Sequence, residues 1–167
     1  FKKKKLSIKV NRHKLIRIGY FSGNFYEHAV SHLLVRTLEL HNKEKFEIFA
    51  YSFSKEKYDK YTERIISASD HYRDVNNLND LEVAKLVASD EIDIAVDLMG
   101  YSDSNRHGIF AYKPSPIQIS YLGYPCTTGS AVIDYIIADK YLIPNEQKRY
   151  YSEKVIYMPN TYQCNDD

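Results

Sequence analysis

The sequence predicts an α/β fold in which a parallel sheet carries helices on both faces. Three observations support this. The chain has 167 residues, the length of one domain. From residue 15 onward, short runs of β-branched and aromatic residues alternate with apolar residues at helical spacing, which is the order of βαβ units. Residues 92–98 are apolar except at Asp93 and Asp97, a pattern that suits a strand covered on both faces.

The elements follow in order. Residues 15–20 read as a strand rich in β-branched and aromatic side chains. Ala29, Val30, Leu33, Leu34 and Leu38 then recur at helical spacing. Residues 46–53 form the next strand. Tyr58, Tyr61 and Ile65 mark a second helix, with Ser54 as its expected cap. Residues 71–75 read as a short third strand. Asn79 followed by Glu82 is a capping-box signature for a helix to about Ser89. Beyond the apolar run at 92–98, two more strands are expected at 117–122 and 132–138. Asp139, Tyr141 and Pro144 close the last of these as turn residues.

Composition excludes several functional classes. Lys and Arg number 23 against 22 Asp and Glu, so the chain as a whole is no polyanion-coating protein. Hydrophobic residues make up 44% and charged residues 27%, a globular balance rather than a disordered one. No apolar run approaches the roughly 18 residues that span a bilayer, so no membrane partner is expected. The basic charge is concentrated. Residues 1–26 hold Lys2, Lys3, Lys4, Lys5, Lys9, Arg12, Lys14 and Arg17 and no acid. Residues 1–14 are therefore read as a basic linker or tail, and 15–167 as the folded lobe. No aromatic residue is interleaved with the lysines as in single-strand binders, so nucleic acid is not an expected partner. Two cysteines, Cys126 and Cys164, fit a reducing compartment and a cytoplasmic location. The chain begins at Phe1 without a signal peptide, and is expected to be a piece of a longer protein.

Parallel sheets bind ligands where loops converge at the carboxyl ends of strands, which selects residues 22–28, 99–106 and 123–130. The first loop lacks the Gly spacing of a dinucleotide fingerprint, and no Gly-Lys-Ser/Thr occurs anywhere, so NAD binding and P-loop chemistry are disfavoured. His28 should open a helix, with His32 one turn later. Ala29 stands where a metalloprotease needs glutamate, so no metal is expected. A neutral imidazole at a helix start can act as a base or a hydrogen-bonding group. His32 reads as a packed helix residue. In the middle loop, Asp97, Tyr101, Asp103, Asn105 and Arg106 form a polar cluster. There Asp97 is either a functional group or a structural one bonding loop amides. In the third loop, Gly123, Tyr124, Pro125, Thr127, Thr128 and Gly129 offer amides and hydroxyls suited to a sugar or phosphate.

Quoted together, these segments carry a resemblance. They are Ile16-Arg17-Ile18-Gly19-Tyr20-Phe21-Ser22 leading to Asn24-Phe25 and His28, then Phe46-Glu47-Ile48-Phe49-Ala50-Tyr51, then Asp97-Leu98-Met99-Gly100-Tyr101 with Asn105-Arg106. The most specific block runs from Pro114-Ser115-Pro116-Ile117-Gln118 to Leu122-Gly123-Tyr124-Pro125 with Thr127-Thr128-Gly129. Asp134-Tyr135-Ile136-Ile137-Ala138-Asp139 follows it. Over about residues 15–160 the chain resembles the O-linked N-acetylglucosamine transferase family, including its SPINDLY-like members. The resemblance implies a Rossmann-like amino-terminal lobe of a GT-B glycosyltransferase, following tetratricopeptide repeats. The other lobe, which carries most nucleotide contacts, lies outside this chain. It implies inverting transfer of a sugar, with UDP-GlcNAc the expected donor, to Ser or Thr of an acceptor protein or peptide, without a cofactor or metal. By position it makes His28 the catalytic residue and places Asn24, Val30, Leu122, Gly123, Tyr124, Pro125, Thr127 and Thr128 at the substrate. The chain has Asn24 where the family motif has Asp, Glu27 where it has Asn, Val30 where it has Thr, and Cys126 where it has Gly. These departures support an alternative reading, a non-catalytic relative serving as a peptide-binding or scaffold module. An unrelated Rossmann-like sugar-nucleotide enzyme, such as an epimerase, is a third.

Overall fold

The computed structural model describes residues 5–8, 13–55 and 58–166. The strands are β1 (Ile16–Ser22), β2 (Phe46–Ser52), β3 (His71–Asp74), β4 (Ile94–Asp97), β5 (Ile117–Ser120), β6 (Tyr135–Ala138) and β7 (Lys154–Tyr157). The helices are α1 (Ala29–Glu39), α2 (Lys60–Ala68) and α3 (Asp80–Ser89), with 3₁₀ turns at Phe110–Tyr112 and Asn145–Tyr150. All strand pairs are parallel, in the order β3-β2-β1-β4-β5-β6-β7. The chain therefore reverses its direction of travel across the sheet between β1 and β4.

Alternation along the inner strands fills two layers. Ile18, Tyr20, Ile48, Ala50 and Val96 face α1 and α2, where Leu34, Leu38 and Ile65 are fully buried. Phe21, Phe49, Tyr51 and Ala95 face the other side, where Val83 and Val87 of α3 close the layer. Each fully buried Leu or Ile contributes about 1.5–3 kcal/mol of burial energy, so this inner half holds most of the stabilisation. The outer flank is thinner. Ile136, Ala138 and Ile143 form a small separate cluster with Tyr151, Val155 and Tyr157 around it.

The sequence places α1 and α3 well. Asn79 accepts from the Leu81 and Glu82 amides while Glu82 returns to the Asn79 amide. The cap of α2 differs from expectation. Asp59, not Ser54, accepts the Tyr61 and Thr62 amides at 2.9 and 3.0 Å. A carboxylate at this position also meets the positive end of the helix dipole, which a neutral serine five residues earlier does not. Strand β4 is shorter than the apolar run. Asp93 leaves it to accept the Arg17 amide at 2.9 Å. Strand β6 begins at Tyr135, just after Asp134, whose carboxylate accepts the Gln118 amide and meets Lys113 while its main chain bonds Gln118 and Lys154. Strand β7 is an element the sequence reading lacks.

Of residues 1–14, Leu6 packs on the α3 face and donates to the Tyr112 carbonyl at 2.8 Å. Lys2, Lys3, Lys4, Lys9 and Arg12 lie outside the described residues. Among the described residues, no helix is long and apolar enough to cross a membrane.

Candidate functional site

A cavity of about 650 Å³ opens at the carboxyl ends of β1 and β4, where the strand order reverses. This is where open α/β sheets hold ligands, and the volume is that of a small-molecule site. Gly23, Asn24, Tyr26, His28 and Val30 supply one wall, after β1. Leu98 and residues 102–106 supply another, after β4, and Gly123 joins from the loop after β5. Phe53, Lys55 and Asn76 extend the cavity beyond β2 and β3.

His28 is the N-cap of α1, in extended backbone conformation. Its Nδ1 accepts the Val30 amide at 3.1 Å. Burial first, and the neighbouring His32 second, hold the imidazole below its ordinary pKa of 6.5, so the ring is neutral near pH 7. Because Nδ1 accepts, the proton of the neutral ring sits on Nε2. In this geometry His28 offers the cavity a hydrogen-bond donor. To act as a base it must first release the Val30 amide and exchange tautomers.

Asn24 lines the same wall. Its side-chain Nδ2 donates to Met99 Sδ at 3.4 Å, and its main-chain carbonyl accepts from Ser31 Oγ at 2.6 Å. Val30 is buried and apolar where a threonine would offer a hydroxyl. His32 is exposed and packs its ring on Tyr61, 4.4 Å between centroids. No group of three or more His, Cys, Asp or Glu side chains among the described residues is placed to hold a metal ion.

The middle loop is built on Asp97. Its Oδ1 accepts the Met99 and Gly100 amides at 2.9 and 3.1 Å. His107, which the sequence reading passed over, lies 3.6 Å from Oδ2. Arg106 is a strut: it bonds the Val75 and Leu78 carbonyls at 3.0 and 2.7 Å and pairs with Asp80. Lys55 is the other cation at the cavity.

Gly123 joins the lining as main chain. A Cβ on Gly123 would sit 2.1 Å from the Leu98 carbonyl oxygen. Gly100, at φ +53°, seats Tyr124, and a Cβ there would lie 2.5 Å from the Tyr124 side chain. Tyr124 in turn meets Tyr101 edge-on at 5.9 Å, so His28, Tyr101 and Tyr124 share one edge of the sheet, as expected.

The remaining candidates stand behind the wall. Leu122 is buried in the core at φ 69° and supports the floor from below. Pro125, Thr127 and Thr128 lie outside the cavity lining. Both threonine hydroxyls turn onto Glu153, a carboxylate only 4% exposed. Burial pushes this carboxyl up, but the Thr127 and Thr128 hydroxyls and the Thr128 amide outweigh burial and hold it below the ordinary carboxylate range. The sequence reading missed Phe53, Lys55 and Asn76, although the strand-end rule that chose the other loops applies equally after β2 and β3. It also missed Glu153, which has no local signal.

The comparisons add a family context. The model for glycosyl transferase family 41 matches residues 1–167. An Arabidopsis thaliana protein described as a probable UDP-N-acetylglucosamine–peptide N-acetylglucosaminyltransferase, SEC, is 39% identical over 153 residues, 92% of this chain and 16% of its own length. The Caenorhabditis elegans UDP-N-acetylglucosamine–peptide N-acetylglucosaminyltransferase is 34% identical over 90% of this chain and 13% of its own. Among solved structures, a mutant of the Thermobaculum terrenum O-GlcNAc transferase superposes with a TM-score of 0.88 at 32% identity. That match covers 98% of this chain and 31% of the other. The chain thus spans less than a fifth of these curated relatives and about a third of that solved chain.

Proposed function

Because the chain belongs to glycosyl transferase family 41, we propose that it is the amino-terminal catalytic lobe of a protein O-glycosyltransferase that moves GlcNAc from UDP-GlcNAc to Ser or Thr of an acceptor polypeptide. The observation that carries this reading is the cavity at the β1–β4 reversal, where Asn24, His28, Val30 and Gly123 meet. In the transfer, the acceptor oxygen bonds the anomeric carbon, with inversion, as the bond from that carbon to the diphosphate breaks; the diphosphate leaves with the electron pair, and the proton of the acceptor hydroxyl passes to the departing phosphate oxygens. The Nε2–H of His28 holds an oxygen of donor or acceptor in line. Val30 and Gly123 give the sugar an apolar side and a main-chain floor. The nucleotide is bound mainly by a carboxyl-terminal lobe outside this chain, and upstream tetratricopeptide repeats bring the acceptor in the cytoplasm. No metal is required.

The test is incubation of the full-length protein with UDP-GlcNAc and a serine-containing peptide library, read by mass spectrometry. A gain of one N-acetylhexosamine on Ser or Thr is expected. Peptide binding without any transfer, from several nucleotide sugars, would replace this reading with that of a non-catalytic binding module, for which Asn24 and Val30 speak. Residues 1–167 alone should fold yet transfer nothing, since the donor site needs both lobes. Turnover by this piece alone contradicts the two-lobe reading.

A further inference from the structure

Residues 121–134, between β5 and β6, form no helix or strand, so their shape rests on side-chain ties. The near end is fixed by Gly123 on the Leu98 carbonyl. The far end is fixed by Gln118, whose amide nitrogen donates to the Val132 carbonyl at 2.7 Å. The middle is gripped by the three residues before β7. Glu153 Oε2 accepts from Thr127 Oγ1 at 2.6 Å, and Oε1 accepts the Thr128 amide at 2.7 Å and the Thr128 hydroxyl. Ser152 reaches Thr127 Oγ1 through its own hydroxyl at 3.2 Å. Tyr151 donates to the Pro125 carbonyl at 3.5 Å, a longer contact. The hydroxyls then act inward. Thr127 Oγ1 accepts the Gly129 amide at 3.1 Å and Thr128 Oγ1 the Ser130 amide at 3.3 Å. One buried carboxylate thus organises four consecutive loop residues, 127–130, beginning three positions after Tyr124.

We infer that Glu153 is the positioning residue of the sugar-side wall: it holds the loop 123–130 in the shape that places Gly123 at the cavity, and so sets donor affinity without touching the donor. The inference rests on the proposed transferase reading. A carboxylate is suited to this grip because it only accepts, and here its partners are donors: the hydroxyls of Thr127, Thr128 and Ser152 and the Thr128 amide. Burial makes the same bonds strong and their loss costly. Thr127 and Thr128, taken from the sequence as substrate contacts, act as the two prongs that Glu153 holds.

The experiment compares wild type, Glu153→Ala and Glu153→Gln in the full-length protein. Hydrogen exchange over 123–130 and steady-state kinetics with UDP-GlcNAc are both measured. A wall displaced by about 1 Å costs on the order of a hundredfold at most, so Glu153→Ala is expected to raise KM for UDP-GlcNAc about tenfold with kcat within about twofold. Exchange over 123–130 should quicken while α1 exchanges as before. Glu153→Gln keeps an oxygen for the Thr128 amide and a donor for a threonine oxygen, so it should recover most of the affinity. Should Glu153→Ala not fold, Glu153→Gln beside the double variant Thr127→Val/Thr128→Val reads the same grip. Unchanged KM despite faster exchange overturns the positioning role and leaves a structural tie only. Unchanged exchange overturns the grip itself. A wild-type protein that transfers no sugar sinks the functional reading, and exchange then decides the inference alone.

Discussion

The two walls of the cavity are built by different means. The His28 wall stands on central strand β1 and on α1, whose Leu34 and Leu38 are fully buried. The Gly123 wall stands on a loop tied to a residue beside edge strand β7, whose packing cluster is small. One wall rests on the core throughout, and the other rests on it only at its near end, through Leu122 and Gly123, and is held beyond that by a buried carboxylate. The difference teaches that a loop anchored in the core at one end can be held along its length by a single buried side chain.

The largest effect should come from undermining the first wall. Leu34→Ala is expected to cost about 2–5 kcal/mol in urea unfolding. Val155→Ala, on the outer flank, should cost about 1 kcal/mol. Equal losses would erase the contrast between the two supports.

The next effect lies within one loop. Gly123→Ala forces a methyl against a carbonyl oxygen and should cost about 1–3 kcal/mol while raising KM for the donor. At Gly129, φ +61°, a Cβ meets nothing within 4 Å. Gly129→Ala should therefore cost about 1–2 kcal/mol of backbone strain and leave the donor KM alone. A raised KM in Gly129→Ala would show that the wall extends past its ties.

His28 separates capping from chemistry. His28→Ala removes the cap of α1, worth about 0.5–2 kcal/mol. His28→Asn retains an oxygen for the Val30 amide and should keep most of that stability. Both should lose turnover, since neither presents a ring N–H to the cavity. Full turnover in folded His28→Asn would remove the imidazole from the mechanism.

The smallest effect is a separation of the walls by pH. The folded pKa of His28 lies below 6.5, chiefly through burial, and that of His41 is lowered for the same leading reason. Such groups bind protons more readily unfolded, so their stabilisation is complete above 6.5 and is lost as pH falls through the folded value. The folded pKa of Glu153 lies below its ordinary 4.5. Its contribution is complete above 4.5 and is lost as pH falls through the lower folded value. Protection near α1, taken relative to the intrinsic exchange rate at each pH, should thus fall as pH drops below 6.5, while 123–130 holds until the carboxylate range. His28→Asn should blunt the first change only. Simultaneous loosening of both walls would contradict these assignments.

How legible each wall was in the sequence follows from the same physics. Helix α3 was readable because a capping box acts over three residues. The inner strands were readable because a two-sided core demands unbroken apolar runs. The first wall was readable because a cap and a strand end adjoin. Glu153 was not, since its partners are 25 residues away and a lone Glu reads as surface. Strand β7 hid for a related reason: it is four residues long, and only Val155 and Tyr157 turn inward while Ile156 faces out. Asp59 displaced Ser54 because two candidate caps compete and the sequence does not say where the preceding loop ends.

At Gly123 the cavity is bounded by main chain, pressed so close to the Leu98 carbonyl that no Cβ fits. That stretch of wall has no side chain to exchange. Asn24 and Lys55, which are less buried than Val30, can be exchanged for groups of other polarity around it. For protein engineering this makes those two positions a dial and Gly123 a fixed mount, and any library that varies Gly123 spends its members on broken molds.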